Sequence, residues 1–170
     1  MKDALVEEAD VTSNCFGCST QNDIGLKLEF VDGLDEVYAP VSLGRQYESY
    51  PGIVHGGIVS TVLDEAMGRA IMAFTGKMAV TMGLRVRFIS ICESFAAYRL
   101  VGKIVSMTGN MIKAEARLLT PAGDLVALGE ASWIVIEPEA VFSGQTKVPH
   151  RTLLYINYEV SRDGAVCERN

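Results

Sequence analysis

The sequence predicts an α+β domain in which one curved antiparallel sheet wraps around a single long helix. Three observations predict it. From about Gly57 to Phe74, the apolar residues Val59, Val62, Leu63, Ala66, Met67, Ala70, Ile71 and Phe74 recur at three- and four-residue spacing, the mark of one buried helix face. On either side of that segment the period falls to two, as in half-buried strands. The order reads as two strands, one helix, then four strands in a meander, and a sheet folded over one helix is the layering that buries both apolar surfaces.

"IGLKLEFVDG" (24–33) alternates Leu26, Leu28 and Phe30 with Lys27 and Glu29, and "EVYAPVSL" (36–43) is its hairpin partner, with Asp32-Gly33 near the turn. "GRQYESYPGIV" (44–54) is a loop rich in turn residues. The helix follows and stops at Gly76. "MAVTMGLRVRFIS" (78–90) then sends Leu84, Val86 and Phe88 to one face, with Arg85 and Arg87 on the other, a solvated sheet face. "FAAYRLVGKIVSM" (95–107) turns at Thr108-Gly109-Asn110 into "MIKAEARLLT" (111–120), and "PAGD" (121–124) turns into "LVALGEASWIVIE" (125–137). "TLLYINYEV" (152–160) reads as one more strand. The chain divides into an N-terminal segment over 1–23, the domain over 24–137 and a C-terminal extension over 138–170.

A length of 170 residues suits one domain, and 49% hydrophobic with 21% charged residues suits a packed core rather than disorder. No apolar run reaches about 18 residues, so no membrane span is expected. The first stretch, "MKDALVEEADVTSN", is acidic and lacks the basic-then-apolar order of a secretion signal, so a cytoplasmic location is expected. The net charge of −6 is concentrated early: residues 1–36 hold two lysines against nine acidic residues. Without a basic stripe or interleaved aromatics, nucleic acid is not an expected partner.

"YPGIVHGGIVSTVLDEAMGRA" (50–70) holds the chemistry. Gly56 and Gly57 stand at the start of the helix, where backbone N–H groups lack partners and the dipole is positive. Glycines let a ligand oxygen approach those donors, as an oxyanion hole requires. Asp64 lies seven residues beyond Gly57, nearly two turns, so both share a face bordered by Ser60, Thr61 and Gly68. That separation is roughly 10 Å along the axis, too far for both to act on one carbonyl from the same helix. The simplest source of the carboxylate is an identical helix lying antiparallel across a two-fold axis. Glu65, about 100° around the helix, suits a rim or an ion pair with Arg69. His55 either packs and orients its loop or bonds to a substrate carbonyl or sulfur.

Cys15 and Cys18 form a CxxC, and Cys92 and Cys167 stand alone. A zinc site needs about four ligands, and only His55, His150 and the two scattered cysteines are offered by the sequence. The pair therefore reads as small residues packing a turn. No metal or cofactor is expected.

"HGGIVSTVLDEAMG", with Asp nine positions after His, resembles the signature of hotdog-fold acyl-CoA thioesterases of the phenylacetate-pathway (PaaI-like) branch. "CFGCSTQNDIGLKLEF" (15–30), "AVTMGLRVRFIS" (79–90) and "ASWIVI" (131–136) resemble other stretches of those proteins. The resemblance spans roughly residues 14–137. It implies a homodimer with a continuous sheet, often paired into tetramers, and active sites at the subunit interface. It implies Asp64 as nucleophile or general base, and Gly57 or Gly56 as the amide that polarises the thioester carbonyl. By the same resemblance His55 supports substrate placement, and Thr81 positions water near the carboxylate. Ser49 stands where many relatives hold an amide side chain that contacts substrate.

The expected activity is hydrolysis of an acyl-CoA, with Val54, Met67, Gly68 and Ile71 lining the substrate. The alternatives are a non-catalytic acyl-CoA binding module and a hotdog enoyl-CoA hydratase. A pure binder has no need of Asp64 in an apolar helix, and the hydratase needs an Asp-His dyad that only His55 or His150 would complete.

Overall fold

The computed structural model describes residues 14–136, together with the backbone of two short strands near the C-terminus. In chain order the strands are β1 (Val31–Asp32), β2 (Glu36–Val41), β3 (Glu48–Tyr50) and β4 (Ile53–Val54), with a 3-10 turn over Arg45–Tyr47. The helix α1 (Gly56–Thr75) is followed by β5 (Ala79–Phe88), β6 (Tyr98–Thr108), β7 (Met111–Leu119) and β8 (Leu125–Val135). The remaining strands, β9 (Tyr158–Val160) and β10 (Val166–Glu168), pair with each other. The rest of the 138–170 extension, including most of the strand expected over 152–160, lies outside the described residues. No helix among the described residues is long and apolar enough to cross a membrane.

The six main strands form one antiparallel sheet in the order β1-β2-β6-β7-β8-β5, and α1 packs across it. This is the hotdog arrangement, a sheet curled around one helix. The helix stripe behaves as its spacing predicts: Val59, Val62, Leu63, Ala66, Met67, Ala70 and Ile71 are buried. Gly76 ends it in the left-handed conformation at φ 65°, with its N–H donating to the Met72 carbonyl. On β7, Ile112, Ala114, Ala116 and Leu118 are buried while Lys113, Glu115 and Arg117 face outward.

Small residues set how closely the helix lies. A Cβ at Gly102 on β6 would fall on the Ala66 carbonyl oxygen, which is helix backbone and cannot swing aside. Gly129 on β8 sits 3.1 Å, measured from where its Cβ would be, from Leu63 Cβ. Gly102→Ala is therefore expected to destabilise the fold by about 3 kcal/mol, the upper end of overpacking costs. A thermal melt would show this as a midpoint lower by several degrees.

Two expectations need correction. The alternation over 24–33 is real, with Leu28 buried and Leu26 and Phe30 packed on the core, but only Val31–Asp32 pairs as a strand. Lys27 adopts φ 53°, which breaks extended backbone, and the Leu26 and Leu28 N–H groups donate to the Phe16 and Gly17 carbonyls. The CxxC loop thus takes the hydrogen bonds a partner strand would have taken. The second correction concerns the meander. β6, β7 and β8 are consecutive neighbours, but β5 joins the outer side of β8, not β6. The link over 89–97 crosses the start of α1 to reach β6. It is held there because Ile89 and Ser90 N–H donate to Val126 O, Val54 N–H to Cys92 O, and Phe95 N–H to Leu43 O. β5 consequently forms an edge of the sheet, and its second side has no strand beside it among the described residues.

Candidate active site

His55 ends the β3–β4 hairpin and caps α1. Its N–H donates to the Tyr47 carbonyl, and its carbonyl accepts from Ile58 and Val59. Its Nδ1 accepts the Gly57 N–H at 2.9 Å. With Nδ1 an acceptor, the proton of the neutral ring sits on Nε2, on an exposed side chain. Of the first helix donors, only the Gly56 N–H has no hydrogen-bond partner among the described residues. A sequence reading does not separate the two glycines; the imidazole cap does.

Gly56 borders a cavity of about 360 Å³, walled by Val54, Val59, Phe88, Ile91 and Val126. A Cβ at Gly56 would lie 3.4 Å from the Phe88 ring, in ordinary contact, so a larger side chain there would reach into the cavity. Much of this wall comes from the link over 89–97, a contribution invisible in local periodicity.

Asp64 lies eight residues further along α1, roughly 12 Å at the helical rise. Its Oδ1 accepts the Thr81 hydroxyl at 3.0 Å. Burial pushes its carboxyl above the ordinary value of 3.8, the Thr81 bond pulls it down, and the neighbouring Glu65 charge adds to the rise. Thr81 is on β5, so the pair stands at the open edge of the sheet. One turn beyond, Gly68 is covered by the Trp133 ring, at 3.1 Å from its would-be Cβ.

The raised carboxyl has a consequence for stability. The native state holds this proton to higher pH than the unfolded chain, so stability falls as pH rises from 3.8 to the raised value. Asp64→Asn removes that loss. Its melting midpoint should exceed the wild type's by a margin that opens across that window and closes below 3.8. Thr81→Val removes the opposing hydrogen bond and should extend the upper end of that window, as a melting series against pH would show.

Other candidates fall elsewhere. Met67 and Ile71 are 0% and 1% exposed, so they form the core and offer no surface to a ligand. Ser49 is exposed, its hydroxyl donating to the Ile53 carbonyl at 3.4 Å. Ser60 and Thr61 turn their hydroxyls to the Gly56 and Gly57 carbonyls. The expected Glu65–Arg69 pair does not form. Arg69 instead chelates Asp32, with Nη2 at 2.8 Å from Oδ2 and Nε at 3.2 Å from Oδ1, while Glu65 faces Cys15. Burial, Glu65 and Cys15 together push the Cys18 thiol well up.

Residues 51–127 match the family model described as the thioesterase superfamily. An uncharacterised protein of Schizosaccharomyces pombe is 32% identical over 92 residues, covering 52% of this chain and 53% of its own length. Among solved structures, a thioesterase superfamily protein is 26% identical with a TM-score of 0.66, over 71% of this chain and 60% of that one. A Bacillus halodurans protein solved with CoA is 27% identical with a TM-score of 0.57, over 66% of this chain and 76% of that one. The chain thus spans about half the length of the curated relative and less than two thirds of the first of these structures. A sheet curled around one long helix, and a sequence over 51–127 that matches the thioesterase-superfamily model, are what this chain shares with those proteins.

Proposed function

We propose that this protein hydrolyses an acyl-CoA thioester to a free acid and CoA, at sites shared between two copies of the chain. The observation that carries the reading is the half-buried Asp64, held by Thr81 at an open sheet edge. The other polarising group of the chain, the Gly56 N–H beside an apolar cavity, lies roughly 12 Å away along the same helix. Two such chains joined along β5, with their helices antiparallel, bring the acid of one towards the helix start of the other. The reading is supported by the Bacillus halodurans neighbour, which was solved with CoA, and by the likeness to the PaaI-like branch. It places the protein in the cytoplasm as a homodimer, with tetramers as a further assembly.

In this reading the thioester carbonyl accepts the Gly56 N–H at the positive end of the helix dipole. His55 orients that turn and offers its Nε2–H to the carbonyl or the sulfur. As a base, Asp64 of the second chain takes a proton from water as its oxygen attacks the carbonyl carbon. The tetrahedral intermediate then expels the CoA sulfur, which leaves with that proton. As a nucleophile, Asp64 forms a mixed anhydride that water opens. Single turnover in ¹⁸O-water that leaves label in the Asp64 carboxylate marks the anhydride route, with water opening it at the aspartyl carbon. The acyl group or the pantetheine arm occupies the apolar cavity.

The reading is tested by thiol release from a panel of short, long and aryl acyl-CoAs, followed with a thiol-reactive dye. Turnover of at least one member with release of equimolar acid is expected. Saturable binding of the panel without turnover replaces the reading with that of a binding module.

A further inference from the structure

A second set of reactive side chains converges on a different side of α1. Cys15, Cys18 and Glu65 each turn one ligand-capable atom to a common point, and these atoms all lie within 4.8 Å of one another. We propose that the two cysteines and Glu65 bind one zinc-type divalent cation, with water in the fourth position, clipping the N-terminal loop to the helix.

The spacing suits the ion. With Zn–S near 2.3 Å and Zn–O near 2.0–2.2 Å, neighbouring sulfur and oxygen ligands of a tetrahedral zinc stand about 3.5 Å apart. Cys15 Sγ lies 3.4 and 3.6 Å from the two Glu65 oxygens. The loop is shaped around that point. The Gly17 N–H donates to Cys15 Sγ at 3.3 Å, which holds that sulfur in place beside Glu65. A side chain at residue 17 would collide with the Glu65 carboxylate, so glycine lets the carboxylate lie against the loop. The Phe16 and Gly17 carbonyls accept from Leu26 and Leu28, which fixes the loop before any ion arrives.

The donor set also selects the metal. Two sulfurs disfavour magnesium and calcium, which take oxygen ligands, and favour zinc. Three protein ligands leave one position open, which water fills. The sequence shows only half of this site, because the third donor comes from the helix, 50 positions away. Such a clip closes a long loop and ties down the segment that carries Leu26, Leu28 and Phe30. The inference does not rest on thioester hydrolysis, and the Asp64 chemistry uses no metal.

The test uses the full chain, reduced and stripped with a chelator. Zn²⁺ titrated against a competing indicator should bind at one per chain and raise the melting midpoint. Co²⁺ in its place should give thiolate-to-metal charge-transfer bands in the near ultraviolet. Cys15→Ser and Cys18→Ser should abolish those bands, while Cys92→Ser and Cys167→Ser should keep them. Glu65→Gln should keep the fold and weaken Zn²⁺ binding by at least about 10-fold. Absence of stoichiometric uptake by the reduced wild type overturns the proposal. So does uptake that survives loss of both Cys15 and Cys18, or that depends on Cys167 instead. None of these outcomes touches the acyl-CoA panel, so the two readings fail separately.

Discussion

Asp64→Asn should lower acyl-CoA hydrolysis by at least about 100-fold, the smaller end of what a positioned base or nucleophile contributes. The amide keeps the size of the side chain and can still accept from Thr81 Oγ1, whose bond to Asp64 measures 3.0 Å. Folding is therefore retained, and the loss reads as chemistry. Mixing makes the test sharper. Gly56→Val should also be inactive, because bulk at the helix start fills the cavity that Gly56 borders. In a mixed dimer of the two variants, one site combines the intact helix start of one chain with the intact acid of the other. Equal random mixing gives half mixed dimers with one working site in two, so roughly a quarter of wild-type activity should return. If both groups came from one chain, nothing would return. Activity of the unfolded-and-remixed pair, against each variant alone, decides it.

Leu84→Asp should separate the dimer and remove activity with it. Leu84 is 38% exposed on β5, so the change does little to an isolated chain. At a β5 junction between copies it buries one unpaired carboxylate per chain, at about 4 kcal/mol or more for the two together, which weakens association at least roughly a thousandfold. Light scattering behind a sizing column should give two or more chains for the wild type and one for the variant. Thiol release should fall with the mass, while the melting midpoint, extrapolated to low concentration, stays near the wild type's. A single-chain variant with full turnover would remove the shared site from consideration.

The parts of the molecule legible in the sequence are those whose signal is local. The helix face shows because Val59 to Ile71 repeat at the helical period, and β7 shows because small apolar residues alternate with Lys113, Glu115 and Arg117. Features set by distant pairing do not show. The alternation of Leu26, Leu28 and Phe30 is what a strand presents, but nothing local reveals that their backbone is claimed by the CxxC loop. A strand following a helix reads as the neighbour of the next strand, and only the crossing over 89–97 places β5 beside β8.

The candidate site follows the same division. The spacing of Gly57 and Asp64 along one helix is read from the chain, and so is their separation of roughly 10 Å. Periodicity marks Met67 and Ile71 as apolar without saying whether a ligand or the sheet covers them, and the sheet does. The imidazole cap on Gly57, the Phe88 wall beside Gly56 and the Glu65 contact with Cys15 each depend on torsions or on remote segments. Arg69 four residues after Glu65 suggests an ion pair, but Asp32, brought close by the β1–β2 hairpin, offers a chelating geometry and wins.

The placement of β5 also shapes how the protein reaches its native state. β5 leaves the ribosome before any of its sheet partners on that side, since β8 is the last strand of the main sheet to be made. Until β8 arrives, an arginine-bearing strand and the greasy stretch of Phe88, Ile89 and Ile91 wait unpaired. Such non-local closure slows folding and invites premature association of nascent chains. Arg85 and Arg87 place two positive charges on that strand, and charge so placed works against such association.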